Sequence, residues 1–242
     1  MSTLNARQSS AQKIKIMCMA ALFCALAIAS TFIMHIKVMF LTFDAKDAVI
    51  TIAGLLFGPV YSIAISLVVS LIEFISIGET GFWGFLMDFL STALFSTVCA
   101  LIYKYKKNIK GAIVGLVTSI VAMTAFMLLF NLFIVPLYTP NFTTAAVAKM
   151  VPTLFLPFNL TKATLNAALV LILYKPASVA LKVARVLPSS ALCNEGMDEA
   201  SKKEKKKQRL AFSLTVTLVG LAVVALCLVV FFVFLDGQLG IG

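Results

Sequence analysis

The sequence predicts an all-α integral membrane protein, and three observations carry that reading. Hydrophobic residues make up 61% of the 242 and charged residues only 12%, where a soluble domain carries roughly twice that charged share. Apolar runs recur along the chain with short polar breaks, and most are long enough to cross a hydrocarbon core of ~30 Å at ~1.5 Å per residue. The charge is also segregated: most of the 20 Lys and Arg fall in three blocks, Arg7 to Lys15, Lys104 to Lys110 and Lys175 to Arg209. Such blocks report topology, so the net charge of +10 implies no nucleic-acid partner.

Residues 1–12 are polar and read as a disordered N-terminal tail. Arg7, Lys13 and Lys15 then precede an apolar run from Ile16 to Ile36. Basic residues before such a run resemble a signal peptide, and Ala25-Leu26-Ala27 resembles a cleavage site. The run continues well past it, which favours an uncleaved first helix. Ala21, Ala25 and Ala29 recur every four residues; the smooth stripe they make serves either ordinary packing or the close approach of another helix. His35 reads as an interfacial residue. Met39 to Asp47 forms the first loop, with Asp44, Lys46 and Asp47 as the mixed charges of a membrane boundary.

Ala48 to Ile72 holds no charged side chain but is interrupted by Gly58-Pro59. A single crossing here would put the two later basic blocks outside. A turn at Gly58-Pro59 makes two crossings and puts all three blocks inside, as the positive-inside rule prefers. The first of these, near Ala48–Phe57, then spans only ~15 Å if helical. So short a helix must be tilted, shielded by neighbours, or set beside a water-filled depression, which predicts a cavity on the outer side.

Glu73 to Gly81 reads as an outer loop. The next span, Phe82 to Tyr103, carries Trp83 near its start, as interfacial anchor or stacking platform. Asp88, about two turns in, either hydrogen-bonds within the bundle or answers a positive charge. The inner loop Lys104–Lys110 leads to a fifth crossing, Gly111 to Val135, with Asn131 near its outer end. An outer loop, Leu137–Ala148, follows.

The sixth span, Met150 to Lys175, carries the strongest functional signal. Lys162 lies at its midpoint, where insertion scales put an ammonium at about 2.5–3.5 kcal/mol. Asn159, Lys162 and Asn166 are spaced i, i+3, i+7 and share one helix face. That stripe reads as the wall of a polar pocket, its ammonium met by a ligand from outside; the alternative is an interhelical hydrogen-bond seam. Beyond it, 183–209 reads as a basic inner linker that can touch anionic lipid, and 210–236 as a further transmembrane helix.

Cys18, Cys24, Cys99, Cys193 and Cys227 show no CxxC or Cys/His spacing and read as packing residues. There is no GxxxxGK[ST] loop, HExxH, GxSxG or zinc spacing. No enzyme activity, cofactor or metal is expected.

Several segments are similar to the substrate-capture (S) subunits of ECF-type vitamin importers, and among them to the riboflavin-binding members. They are LTFDAKD (Leu41–Asp47), GLLFGP (Gly54–Pro59), FNLFIVPLY (Phe130–Tyr138) and LPFNLTKATLNAALVLILYKP (Leu156–Pro176). The resemblance covers about Ile14 to Lys182 and implies a six-helix S-component bundle, here within 13–182, plus one extra C-terminal helix. It implies an outward-facing pocket in which Asn131, Asn159 and Lys162 hold riboflavin, with Thr42 and Lys46 contributing from the first loop. Asn166 shares the stripe, and Phe158, Trp83 or Tyr138 would pack on the ring. The Ala21/Ala25/Ala29 stripe would dock the transmembrane T component, coupled to two ATPase subunits. The implied location is a bacterial plasma membrane, with the N-terminus cytoplasmic. One departure is the reading Asp47-Ala48-Val49-Ile50 where the family often has Asp-x-x-Asp and an Ile-Pro-like segment. Folate, thiamine or another flavin as cargo, or a membrane assembly protein with no cargo, are the alternatives.

Overall fold

The computed structural model describes residues 2–34, 36–38, 41–76, 81–106, 108–138 and 143–183, nearly all of them helical. Helix α1 (Ser2–Ile33) leads into an antiparallel hairpin of β1 (Ile36–Val38) and β2 (Leu41–Phe43), in which Lys37 faces Thr42. Then come α2 (Lys46–Phe57), α3 (Pro59–Ser76), α4 (Gly81–Tyr105), α5 (Ile109–Tyr138), α6 (Thr144–Met150) and α7 (Leu156–Val183). A π-helical turn, Val151–Phe155, joins α6 to α7. With these last three pieces taken as one rod, the described residues form a bundle of six helices. Among the described residues, five segments are long and apolar enough to cross a membrane: Ile14–Ile33, Pro59–Ser76, Gly81–Tyr105, Ile109–Leu137 and Thr144–Tyr174. His35, the linker beyond Val183 and the helix expected at 210–236 lie outside the described residues.

Helix α1 begins at Ser2, where the sequence suggests a disordered tail. Residues 2–33 contain neither Gly nor Pro, so a helix nucleated in the apolar part propagates back through Arg, Gln and Ala at little cost.

The helix break expected at Gly58-Pro59 is present. Gly58 separates α2 from α3 with φ of 106°, a left-handed conformation in which Cβ sterics disfavour other residues, and Pro59 starts α3 where its missing N–H costs nothing. The short α2 is tolerated because it meets little lipid: it packs on α1, α3, α4 and α7, and Lys46–Ala48, Ile50 and Thr51–Leu55 are all buried. Gly54 permits that central position. A Cβ there would lie 2.9 Å from Ser62 Cβ and 3.2 Å from Ala100 Cβ.

Polarity is distributed for lipid rather than for water. On α3 the buried face is Ser62, Ile65, Ser66, Val69 and Ser70, a stripe of period 3.6, while Val60, Ile63, Leu67, Leu71 and Ile75 are exposed. Small hydroxylated residues let helices approach closely, and their O–H groups bond back to the preceding turn, as Ser66 Oγ does to Ser62 O at 2.7 Å.

Two boundaries differ from those expected. Helix α3 runs on to Ser76, so Glu73 sits in the helix and not in an outer loop. Helix α6 already begins at Thr144, with the Thr143 hydroxyl accepting from Ala146 N, so the loop expected at Leu137–Ala148 is shorter. Pro152 has no N–H to donate, and the widened turn around it closes with Leu156 N–H on Val151 O.

Candidate ligand-binding site

The start of α2, the last turns of α1, α3 and α5, and the early turns of α4 and α7 meet at one end of the bundle. Because α2 has only 12 residues against 25 in α4, strand β2 and the two residues after it descend into the gap. Phe43 is buried there among Val135, Val147, Leu154, Phe155, Phe158 and Leu165. Asp44, Lys46 and Asp47 are each 1% exposed. They are not the surface charges of a membrane boundary but the start of a buried polar network, and chain enters the space where the sequence predicts a cavity.

One half of the network centres on Lys46. Its Nζ donates to Asp88 Oδ1 and Oδ2 at 2.7 and 2.8 Å and to Glu73 Oε2. Both carboxylates have a second donor: Ser70 Oγ to Asp88 at 2.6 Å and Thr31 Oγ1 to Glu73 at 2.7 Å. The question of Asp88 is thereby answered, since it binds a positive charge. Lys46 engages its three protons inside the protein. These contacts tie the start of α2 to α3 and α4.

The other half centres on Lys162, 5% exposed. Its Nζ lies 3.1 Å from Asp44 Oδ2, 3.4 Å from the carbonyl of Thr42 and 3.8 Å from Asp47 Oδ2. Asp47 in turn accepts from Thr92 Oγ1 at 2.6 Å. The sequence predicts that a guest compensates this ammonium; within the chain Asp44 already does so. Thr42 contributes its backbone oxygen. Only the contact to Asp44 falls within the usual 2.7–3.2 Å, which leaves Lys162 able to take one further short acceptor.

Three asparagines back-bond to the carbonyl four residues earlier: Asn131 to Met127 at 2.6 Å, Asn159 to Phe155 at 2.8 Å and Asn166 to Lys162 at 3.1 Å. Their remaining atoms separate them. Asn166 Oδ1 accepts from Ala48 N at 3.0 Å and its Nδ2 donates to Asp44 O at 3.1 Å. Ala45, at the N-cap of α2, supplies no side-chain cap, so α7 supplies one from outside and pins the Asp44 loop. Asn166 thus makes interhelical contacts of the kind that join α7 to α2. Asn131 Oδ1, by contrast, is buried with no hydrogen-bond partner among the described residues, as is Asp44 Oδ1. Asn131 lies one turn before Val135, which packs with Phe158 and Leu165 of α7. Phe158 borders this region, while Trp83 packs at the start of α4 beside Phe82. The Tyr138 side chain lies outside the described residues.

Residues 15–174 match the family described as "ECF transporter, substrate-specific component". The chain belongs to that family. This S component is 30% identical over 149 residues to the riboflavin transporter RibU of Staphylococcus aureus (strain TCH60), covering 59% of this chain and 78% of that one. It is 30% identical over 148 residues to the riboflavin transporter FmnP of Bacillus subtilis (strain 168), covering 57% and 78%. Its fold matches a solved structure described as the S component of a bacterial ECF transporter, with a TM-score of 0.57 and 28% identity, over 72% of this chain and 99% of that one. The protein is therefore a multi-pass membrane subunit of a transporter, not an enzyme.

Asp44 and Glu73 were not singled out by sequence as partners for the lysines. The available signal was charge matching, since a lysine kept in hydrocarbon needs a carboxylate. Few acidic residues lie between Lys13 and Lys182, and Asp44, Asp47, Glu73 and Asp88 all sit near the same end of their spans.

Proposed function

We propose that this S component captures riboflavin from outside a bacterial cell and delivers it inward through the plasma membrane. The observation that carries the reading is the fully buried Oδ1 of Asn131, which has no partner among the described residues. A buried acceptor left without a donor costs about 1–3 kcal/mol, and a ligand N–H or O–H removes that cost. Riboflavin offers both on a neutral molecule with a flat apolar ring and a polyol tail, which suits an apolar site with a few convergent polar groups. The names of both curated relatives support the same cargo. In this reading Asn131, Asn159 and Lys162 hold ribityl hydroxyls and the ring edge, Phe158 packs on the ring, and Thr42 lies beside Lys162. Lys46 and Asn166 position the loop.

The N-terminus is cytoplasmic in this reading, and residues 13–182 form the cargo-binding domain. The partners are a T component and two ATPase subunits. Ala21, Ala25 and Ala29 are all exposed on α1, which supports their role as the docking stripe for the T component.

Purified protein titrated with riboflavin is expected to quench flavin fluorescence saturably. No binding at micromolar concentration overturns the reading. Ala25→Leu is expected to leave that titration unchanged and to stop riboflavin uptake by cells that carry the complete importer; normal uptake removes the docking role.

A further inference from the structure

We infer that Asp44 and Asp47 are specificity-determining residues, which make Lys162 a receptor for a neutral acceptor and turn away cargo that brings a carboxylate or phosphate to it. The inference rests on the reading of Lys162 as a cargo contact. A buried ammonium is by itself a receptor for anions. Here, however, its Nζ is already 3.1 Å from Asp44 Oδ2 and 3.8 Å from Asp47 Oδ2. Any acceptor bonded to the same nitrogen at about 3 Å therefore lies within about 6 Å of the first carboxylate and about 7 Å of the second. At such separations in a site of low dielectric, repulsion between unit charges is several times thermal energy.

The rest of the network does not relieve that repulsion. Lys46 is engaged by Glu73 and Asp88 and stands 4.0 Å from Asp44, so four carboxylates surround two ammonium groups and the formal excess is negative. A hydroxyl or carbonyl oxygen carries no net charge and meets little of this repulsion. It can accept a hydrogen bond from Lys162 while Asp44 stays in place. The same geometry that keeps the lysine charged in hydrocarbon thus fixes the charge of what it can bind.

The test is a comparison of affinities in purified full-length protein. Riboflavin is titrated against two anionic flavins that place the charge differently, flavin mononucleotide at the tail end and 10-carboxymethylflavin near the ring. Wild type is expected to bind riboflavin at least tenfold more tightly than either. Asp44→Asn and Asp47→Asn remove one charge each and keep the side-chain shape; two sites are used so that one variant failing to insert still leaves a reading. Each is expected to narrow the gap at least threefold for at least one anionic flavin. Equal affinities in wild type, or ratios unchanged in the variants, overturn the inference. A parallel loss for all three flavins assigns the aspartates a structural role and also overturns it. Wild type that binds no flavin at all instead refutes the riboflavin reading and removes the ground beneath this one.

Discussion

Lys46 and Lys162 both reach the loop around Asp44, from α2 and α7, and both ammonium groups are buried in the bundle. Lys46 is closed on every side. It meets two carboxylates, each steadied by a hydroxyl from another helix, Asp88 by Ser70 of α3 and Glu73 by Thr31 of α1. Lys162 meets one carboxylate at short range, and two oxygens in this part of the bundle, Asp44 Oδ1 and Asn131 Oδ1, have no partner among the described residues. The difference teaches how to separate support from function among buried charges. A satisfied cluster fixes where helices stand, whereas an incompletely satisfied one holds capacity for something that arrives later.

The largest expected effect is on the closed side. Lys46→Met leaves Glu73 and Asp88 facing each other without a cation, and removing one partner of a buried ion pair costs about 3–5 kcal/mol. Thermal unfolding in detergent is expected to show a stability loss of that size, with riboflavin binding lost as a consequence of misplaced α2. A variant as stable as wild type breaks the comparison, because Lys46 would then be as dispensable to the fold as an open site.

The crossings were legible in the sequence for a simple reason: apolar length and the segregation of Lys and Arg are one-dimensional signals set by the bilayer. The turn at Gly58-Pro59 followed from charge alone. Lys162 could also be found, because an ammonium in the middle of an apolar span is conspicuous. Its partner could not. Asp44 and Lys162 are 118 positions apart, and in sequence Asp44 looks like any acid at a membrane boundary. The descent of β2 into the gap above α2 is a consequence of α2 being short and central, and neither strand has more than three residues, too few for an alternating pattern. Asn166 illustrates the same limit. Helical spacing placed it on the face of Asn159 and Lys162, but only the packing of α2 on α7 shows that its amide caps another helix.

Lys162→Met is the smaller and more discriminating change. The Asp44 carboxylate it leaves behind still has Lys46 at 4.0 Å, and the β2–α2 connection that carries it can move more easily than a packed helix. The loss of stability should therefore be clearly smaller than for Lys46→Met. Riboflavin affinity should fall by more than about 1 kcal/mol, since a hydrogen bond to a charged group contributes about 1.5–3 kcal/mol. The two variants then diverge in ratio: one loses fold and binding together, the other loses binding first. If calorimetric titration finds wild-type affinity in Lys162→Met, the ammonium belongs with Lys46 as a helix tie, and the open acceptor of Asn131 has to find its donor elsewhere.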